Sequence, residues 1–207
     1  MIKKAYEKYL LPKLLDKCCS TKPINYQRNK IVPHVRGTVL EIGIGSGLNI
    51  PYYNKSNIHK VYGLDPSSEL CEMAEKTACD HKIDINFLVD SAEEIKLVSN
   101  TIDTILVTYT LCSIPNLNEA LNEIKRVMKP EAKILFCEHG IAPDLKVRKW
   151  QNRINPLWSK MFGGCNINRD IPLILLDSGF KINNLQQMYL PSTPKIVGYN
   201  YWGAASI

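Results

Sequence analysis

The stretch Val39-Leu40-Glu41-Ile42-Gly43-Ile44-Gly45-Ser46-Gly47 decides the fold. An apolar run of strand length ends in three glycines, each separated by one residue. Aliphatic and β-branched residues suit a buried strand. Glycine permits the positive φ and the close ligand approach that a sharp turn at a strand's end requires. Folds that grip a pyrophosphate use G-x-G-x-x-G, whose third glycine opens the helix that receives the phosphates. Here the spacing is G-x-G-x-G, and an acid, Glu41, stands two residues before the first glycine. A carboxylate there would repel a pyrophosphate and suits a ligand that carries positive charge.

Working outward, apolar runs alternate with segments of helical period, the pattern of a parallel α/β sheet. Strands are expected at 38–42, 60–64, 84–88, 102–108 and 132–137, then at 181–185 and 196–204. Helices are expected at 67–78 and 117–128, at 144–161 with a break near Asn155-Pro156, and at 170–178. Lys129-Pro130 stops the second of them, because proline cannot continue a helix. Upstream, residues 5–18 are amphipathic, with Tyr6, Tyr9, Leu10, Leu14 and Cys18 in helical period.

With 207 residues, 45% apolar and 22% charged, the chain fits one domain, 1–207. Residues 1–34 read as a helical lid or surface segment, and 140–178 as a helical insertion lining an acceptor pocket. No run approaches the roughly 20 apolar residues of a membrane span, and residues 1–15 lack a signal peptide's apolar core. The expected address is the cytoplasm, with peripheral membrane contact through residues 5–18 as its variant. Seven cysteines include no C-x-x-C pair, and the four histidines are not at zinc-ligand spacing. Free thiols and no metal are therefore expected. The net charge of +6 is diffuse, and no RNA-binding module is visible, which argues against nucleic acid. Oligomeric state is not legible.

Further acids follow Glu41 in order. Asp65-Pro66 ends the second strand and can accept from both hydroxyls of a ribose. Asp90-Ser91 follows the third strand, where an acid can accept from an adenine amino group. Thr108 ends the fourth, facing an amino-acid moiety. Each of Asp65, Asp90 and Ser91 also precedes a helical run and could cap it; their common place at strand ends favours a ligand.

This order of motifs, from about Gly37 to Glu138, resembles the class I S-adenosylmethionine-dependent methyltransferases. The resemblance implies an α/β, Rossmann-like three-layer sandwich with a seven-stranded, mostly parallel sheet and an antiparallel last strand. It implies S-adenosyl-L-methionine as methyl donor, S-adenosyl-L-homocysteine as product, and cofactor contacts from Glu41, Gly43, Gly45, Gly47, Asp65, Pro66, Asp90, Ser91 and Thr108. Leu111-Cys112-Ser113, Cys137-Glu138-His139 and residues 158–169 resemble a branch containing animal membrane-associated thiol methyltransferases. Bacterial relatives of that branch are called phospholipid or quinone methyltransferases. The animal enzymes carry a hydrophobic N-terminal anchor, whereas residues 1–20 here are amphipathic and charged.

For catalysis, His139 is the first candidate base: it follows the fifth strand, and an imidazole titrates near neutrality. It could equally serve as a hydrogen-bonded loop residue. Tyr109, Cys112, Trp158, Cys165 and Asn166 are candidates for the acceptor pocket, or alternatively for core and caps. The fourth strand lacks the Asn/Asp-Pro-Pro-aromatic ending that resembles enzymes acting on base nitrogens. Methyl transfer to a small or lipophilic acceptor, a thiol first, is the expected function. Its rivals are a phospholipid or quinone methyltransferase at a membrane surface, an NAD-binding oxidoreductase, which Glu41 opposes, and a silent S-adenosylmethionine-binding domain.

Overall fold

The glycine-flanked run becomes the central strand. β1 (Gly37–Ile42) lies between β2 (Ile58–Leu64) and β4 (Ile102–Thr108). With β3 (Ile85–Leu88), β5 (Met128–His139), β6 (Lys181–Tyr189) and β7 (Tyr199–Ser206) it forms a seven-stranded sheet of order β3-β2-β1-β4-β5-β7-β6. The first five strands pair in parallel, and β7 runs antiparallel to both β5 and β6. The α/β sheet with an antiparallel last strand is thus what the chain forms. The structure is a computed structural model that describes residues 6–207.

Among the described residues the helices of seven residues or more are α1 (Leu11–Cys19), α2 (Lys22–Ile31), α3 (Ser68–His81), α4 (Leu117–Val127), α5 (Leu145–Met161) and α6 (Ile171–Asp177). Strand residues alternate between two cores, as their period of two demands. Leu40, Ile42, Ile105, Val107, Ile134 and Phe136 pack with Leu121 and Ile124 of α4. Val39, Leu106, Leu135 and Cys137 pack with Val32 and Val35 and with Ala74 of α3. By the same alternation Glu41, Thr108 and His139 fall on this second face, the one α2 covers at β5 and β7.

Several expected boundaries move. Ala5 lies outside the described residues. A π-helical turn, Tyr6–Leu10, leads into α1, and the chain breaks at Ser20-Thr21 before α2 starts with Pro23 in its first turn. No helix follows Asp90: residues 89–101 form only turns, in which Ser91 Oγ accepts from the Glu93 amide, so neither Asp90 nor Ser91 caps a helix. β5 begins at Met128, and the residues around Pro130 are absorbed as a register shift between Ile102 and Thr104 on β4.

α5 runs unbroken through Pro156, although proline removes one helical hydrogen bond. Tertiary anchors hold it. The buried Gln151 accepts from the Ala142 amide at 2.9 Å, and its Nε2 lies within 3.0 Å of the Gly140, Ile167 and Ile196 carbonyl oxygens. One turn on, Asn155 accepts from the Ile167 amide at 2.9 Å. A helical turn, Lys195–Gly198, precedes β7 and delays its start to Tyr199. Among the described residues no helix is long and apolar enough to cross a membrane.

Candidate active site

At the carboxyl ends of β1, β2, β4 and β5 the molecule contains a cavity of about 810 Å³. It is lined by Glu41, Gly43, Gly45, Asp65, Pro66, Asp90, Ser91, Thr108, Tyr109, Cys112, His139, Trp158 and Cys165. The fold therefore brings together every site residue expected from sequence except Gly47 and Asn166. Leu11, Pro12, Leu15 and Asp16 of α1 line the cavity from the other side. Ser46 Oγ, in the glycine turn, donates to Asp16 Oδ1 at 2.5 Å.

The three glycines divide by task. All have positive φ, at +68°, +57° and +83° for Gly43, Gly45 and Gly47. A Cβ on Gly43 would collide with the Thr110 side chain, and one on Gly47 with Ile50 and Ala74. Gly47 thus packs against α3 and stands outside the lining of this cavity. A Cβ on Gly45 would meet nothing nearer than 3.9 Å, so its bare face looks onto open space. That is where a ligand can approach the backbone.

Asp65 is 7% exposed. Its Oδ2 accepts from the Gly45 amide at 3.0 Å and its Oδ1 from the Ser67 amide at 2.9 Å. These bonds fix the carboxylate across the turn and leave each oxygen a further lone pair. Burial raises its pKa, and the two amides oppose that rise. Asp90 carries an ion pair with the exposed Lys96 at 2.5 Å through Oδ1, which leaves Oδ2 for another donor.

Around Glu41 lies a network that sequence reasoning missed. Glu41 is 1% exposed and accepts from Asn49 Nδ2 at 2.7 Å and from the Tyr53 hydroxyl. Burial pushes its pKa up to about 7 despite those donors and the positive charge of Arg28. Arg28, from α2, is 4% exposed. Its Nη1 donates to Asn49 Oδ1 and to Thr108 Oγ1, both at 2.7 Å, and its guanidinium lies 5.2 Å from the Tyr109 ring centre. Among the described residues no carboxylate forms an ion pair with it, and its buried Nε has no partner. A buried, incompletely satisfied cation costs free energy. A ligand carboxylate would remove that cost. A buried carboxyl group and a buried guanidinium joined through Asn49 and Thr108 are complementary to the ammonium and carboxylate of an amino acid. Nothing in helical periodicity marks Arg28, because α2 buries Gln27 and Arg28 beside Ile31.

The opposite wall is apolar and sulfur-rich. Trp158 and Phe162 stack at 4.1 Å between ring centres. Cys165 Sγ lies 3.2 Å from His139 Nε2 and accepts from Trp158 Nε1 at 3.4 Å. The neighbouring Cys112, His139 and Trp158 together hold the Cys165 thiol far below its usual value against the effect of burial. Burial opposes the His139 cation, but Cys165 outweighs it and the imidazole pKa rises. Tyr109, at φ +55°, donates its hydroxyl to Asn200 Oδ1 at 2.6 Å. Asn166 stands outside the lining of this cavity and braces its loop: its Nδ2 donates to the carbonyls of Cys112 at 3.1 Å and Gly164 at 2.7 Å. Arg169 likewise grips the Leu111 and Ile114 carbonyls.

Comparison with known proteins agrees with this architecture. Residues 40–136 match a family described as a methyltransferase domain. The human thiol S-methyltransferase TMT1A is 28% identical over 84% of this chain and 72% of its own length. The ubiquinone/menaquinone biosynthesis C-methyltransferase UbiE of Rickettsia typhi is 28% identical over 52% of this chain and 46% of its own. A methyltransferase structure from Aquifex aeolicus superposes with a TM-score of 0.64 at 21% identity, covering 95% of this chain and 98% of that one. Glycine turn, motif order, sheet topology and the methyltransferase-domain match converge on the class I S-adenosylmethionine-dependent methyltransferases, which this chain resembles in sequence and in fold.

Proposed function

We propose that the chain transfers the methyl group of S-adenosylmethionine to a small apolar thiol. The observation that carries this reading is a single cavity uniting the Glu41–Arg28 pair with an apolar wall of Leu11, Leu15, Ile24, Trp158 and Phe162 beside His139. The thiol S-methyltransferase TMT1A as a relative supports the same acceptor. When bound, the cofactor supplies a methyl group on a sulfonium, an activated electrophile. Asp65 would hold the ribose hydroxyls, Asp90 and Ser91 the adenine edge, and Arg28 and Glu41 the methionine carboxylate and ammonium. Gly45 gives the backbone clearance for that approach. The α1 side chains exclude water, so the reacting groups meet in a fixed, dry geometry.

Glu41 makes cofactor binding depend on pH. Its carboxyl is protonated below about 7 in the empty protein, and an ammonium partner favours the ionised form, so binding expels a proton. Affinity for S-adenosylhomocysteine is expected to rise up to roughly tenfold per unit as pH approaches 7, and to level off above it. Calorimetry between pH 5.5 and 8.5 checks this; Glu41→Gln should flatten the profile, and an equally steep profile in that variant would remove Glu41 from the explanation. The empty fold carries the opposite sign. A raised carboxyl pKa favours the folded state at low pH, and this contribution is lost as pH rises from the unfolded value toward 7.

A second reading, methylation of an amphiphilic acceptor at a membrane surface, draws on exposed Tyr9, Leu10, Leu157 and Met161. They stand on two segments that meet where the Tyr6 hydroxyl donates to the Met161 carbonyl. The test is transfer of labelled methyl to a small alkyl thiol, with phosphatidylethanolamine liposomes in parallel. Label on the thiol is expected; label in the lipid alone would replace the first reading by the second.

A further inference from the structure

The sequence offers no zinc-ligand spacing, yet the fold gathers ligand atoms from three distant segments. Cys112 follows β4, His139 ends β5 and Cys165 follows α5. The two Sγ atoms and a ring nitrogen of His139 all lie within 4.8 Å of one another, with His139 Nε2 3.2 Å from Cys165 Sγ. Around a tetrahedral zinc ion, with sulfur at about 2.3 Å and nitrogen at about 2.0 Å, neighbouring ligand atoms stand roughly 3.5–3.8 Å apart. The separations in this cluster are close to that range.

We propose that Cys112, His139 and Cys165 form a site for a soft divalent cation, zinc by donor chemistry, whose fourth position opens to the cavity and receives the acceptor thiol. Four observations support it. Two thiols and an imidazole select soft or borderline cations over magnesium or calcium, and the cluster includes no carboxylate. All three residues line the cavity, and three protein ligands with an open position are the pattern of reactive rather than structural zinc. The cluster is braced from behind. Trp158 Nε1 donates to the Cys165 sulfur at 3.4 Å, an outer contact of the kind that orients ligands at metal sites. Asn166 ties the two cysteine loops together, its backbone amide donating to the Cys112 carbonyl at 2.8 Å and its side chain donating to the same oxygen at 3.1 Å.

The use of the ion rests on the thiol reading above and makes His139 a ligand instead of a base. A thiol entering the fourth position loses its proton to solvent and stays as a thiolate. A sulfur lone pair then forms the bond to the methyl carbon while the methyl–sulfonium bond breaks. The electron pair remains on the sulfur of S-adenosylhomocysteine, and the neutral thioether leaves the ion.

The experiment is titration of the reduced full chain with Co²⁺, followed by displacement with Zn²⁺. One equivalent is expected to give a thiolate-to-cobalt charge-transfer band in the near ultraviolet that Zn²⁺ abolishes. Cys165→Ser and His139→Ala should lose the band, and Cys79→Ser, at an exposed α3 position, should keep it. A thermal shift with S-adenosylhomocysteine, measured on each variant, separates loss of ligands from loss of fold. Absence of the band, or its survival in a folded Cys165→Ser variant, would overturn the site. The cobalt readout needs no acceptor. Cobalt binding without thiol methylation would sink the thiol reading and the use of the ion while leaving the site; methylation without cobalt binding would sink the site alone.

Discussion

Asp65→Ala is expected to weaken binding of both S-adenosylhomocysteine and 5′-methylthioadenosine by 100-fold or more. The carboxylate would accept from two ribose hydroxyls, and hydrogen bonds to a charged group contribute about 1.5–3 kcal/mol each. Roughly 3 kcal/mol corresponds to at least two decades in Kd. The variant also strips the Gly45 and Ser67 amides of their acceptor, so the glycine turn should loosen as well. Asp65→Asn keeps an oxygen toward one amide and turns a donor toward the ribose, which should recover part of the fold and little of the affinity. Calorimetry with both ligands decides it; a loss under tenfold for Asp65→Ala would remove the ribose role.

Arg28→Met should behave differently. It would remove the partner of the cofactor's carboxylate, and S-adenosylhomocysteine should bind about 30- to 160-fold more weakly, the range of roughly 2–3 kcal/mol for a charge-assisted contact. The ligand 5′-methylthioadenosine has no amino-acid group, and its affinity should not change. Thermal stability of the empty protein should change little, because removing a buried cation that has no ion-pair partner among the described residues offsets the loss of its bonds to Asn49 and Thr108. Equal losses for the two ligands would make Arg28 a scaffold residue. Together, the two variants separate recognition of the nucleoside from recognition of the amino acid.

Much of this site is legible in the sequence because it sits where strands end. Glu41, Gly45, Asp65, Asp90 and Thr108 follow apolar runs whose period is unmistakable, and the parallel sheet aligns their ends at one edge. Arg28 and Asn49 are illegible for the opposite reason. They come from α2 and from the loop after the glycine turn, where no periodic pattern sets a polar core residue apart from a surface one. Gly47 shows the limit of motif reading: the spacing groups it with Gly45, but its missing Cβ makes room for Ile50 and Ala74. Cys112, His139 and Cys165 are individually visible, but their convergence depends on where the sheet edge meets the loop after α5. Pro156 misleads because local propensity predicts a break that the Gln151 and Asn155 anchors override.

The position of α1 also bears on how the molecule is made. The residues that cover the cavity emerge from the ribosome before everything they rest on. Ser46, the bonding partner of Asp16, lies 30 residues downstream, and the Met161 carbonyl that holds Tyr6 lies 155 residues downstream. During synthesis this segment must wait, with its apolar side chains uncovered, until α5 has formed, and until then the chamber has no roof. Closure of the cavity by α1 is therefore expected to come late in synthesis, with the apolar side chains of α1 uncovered until then.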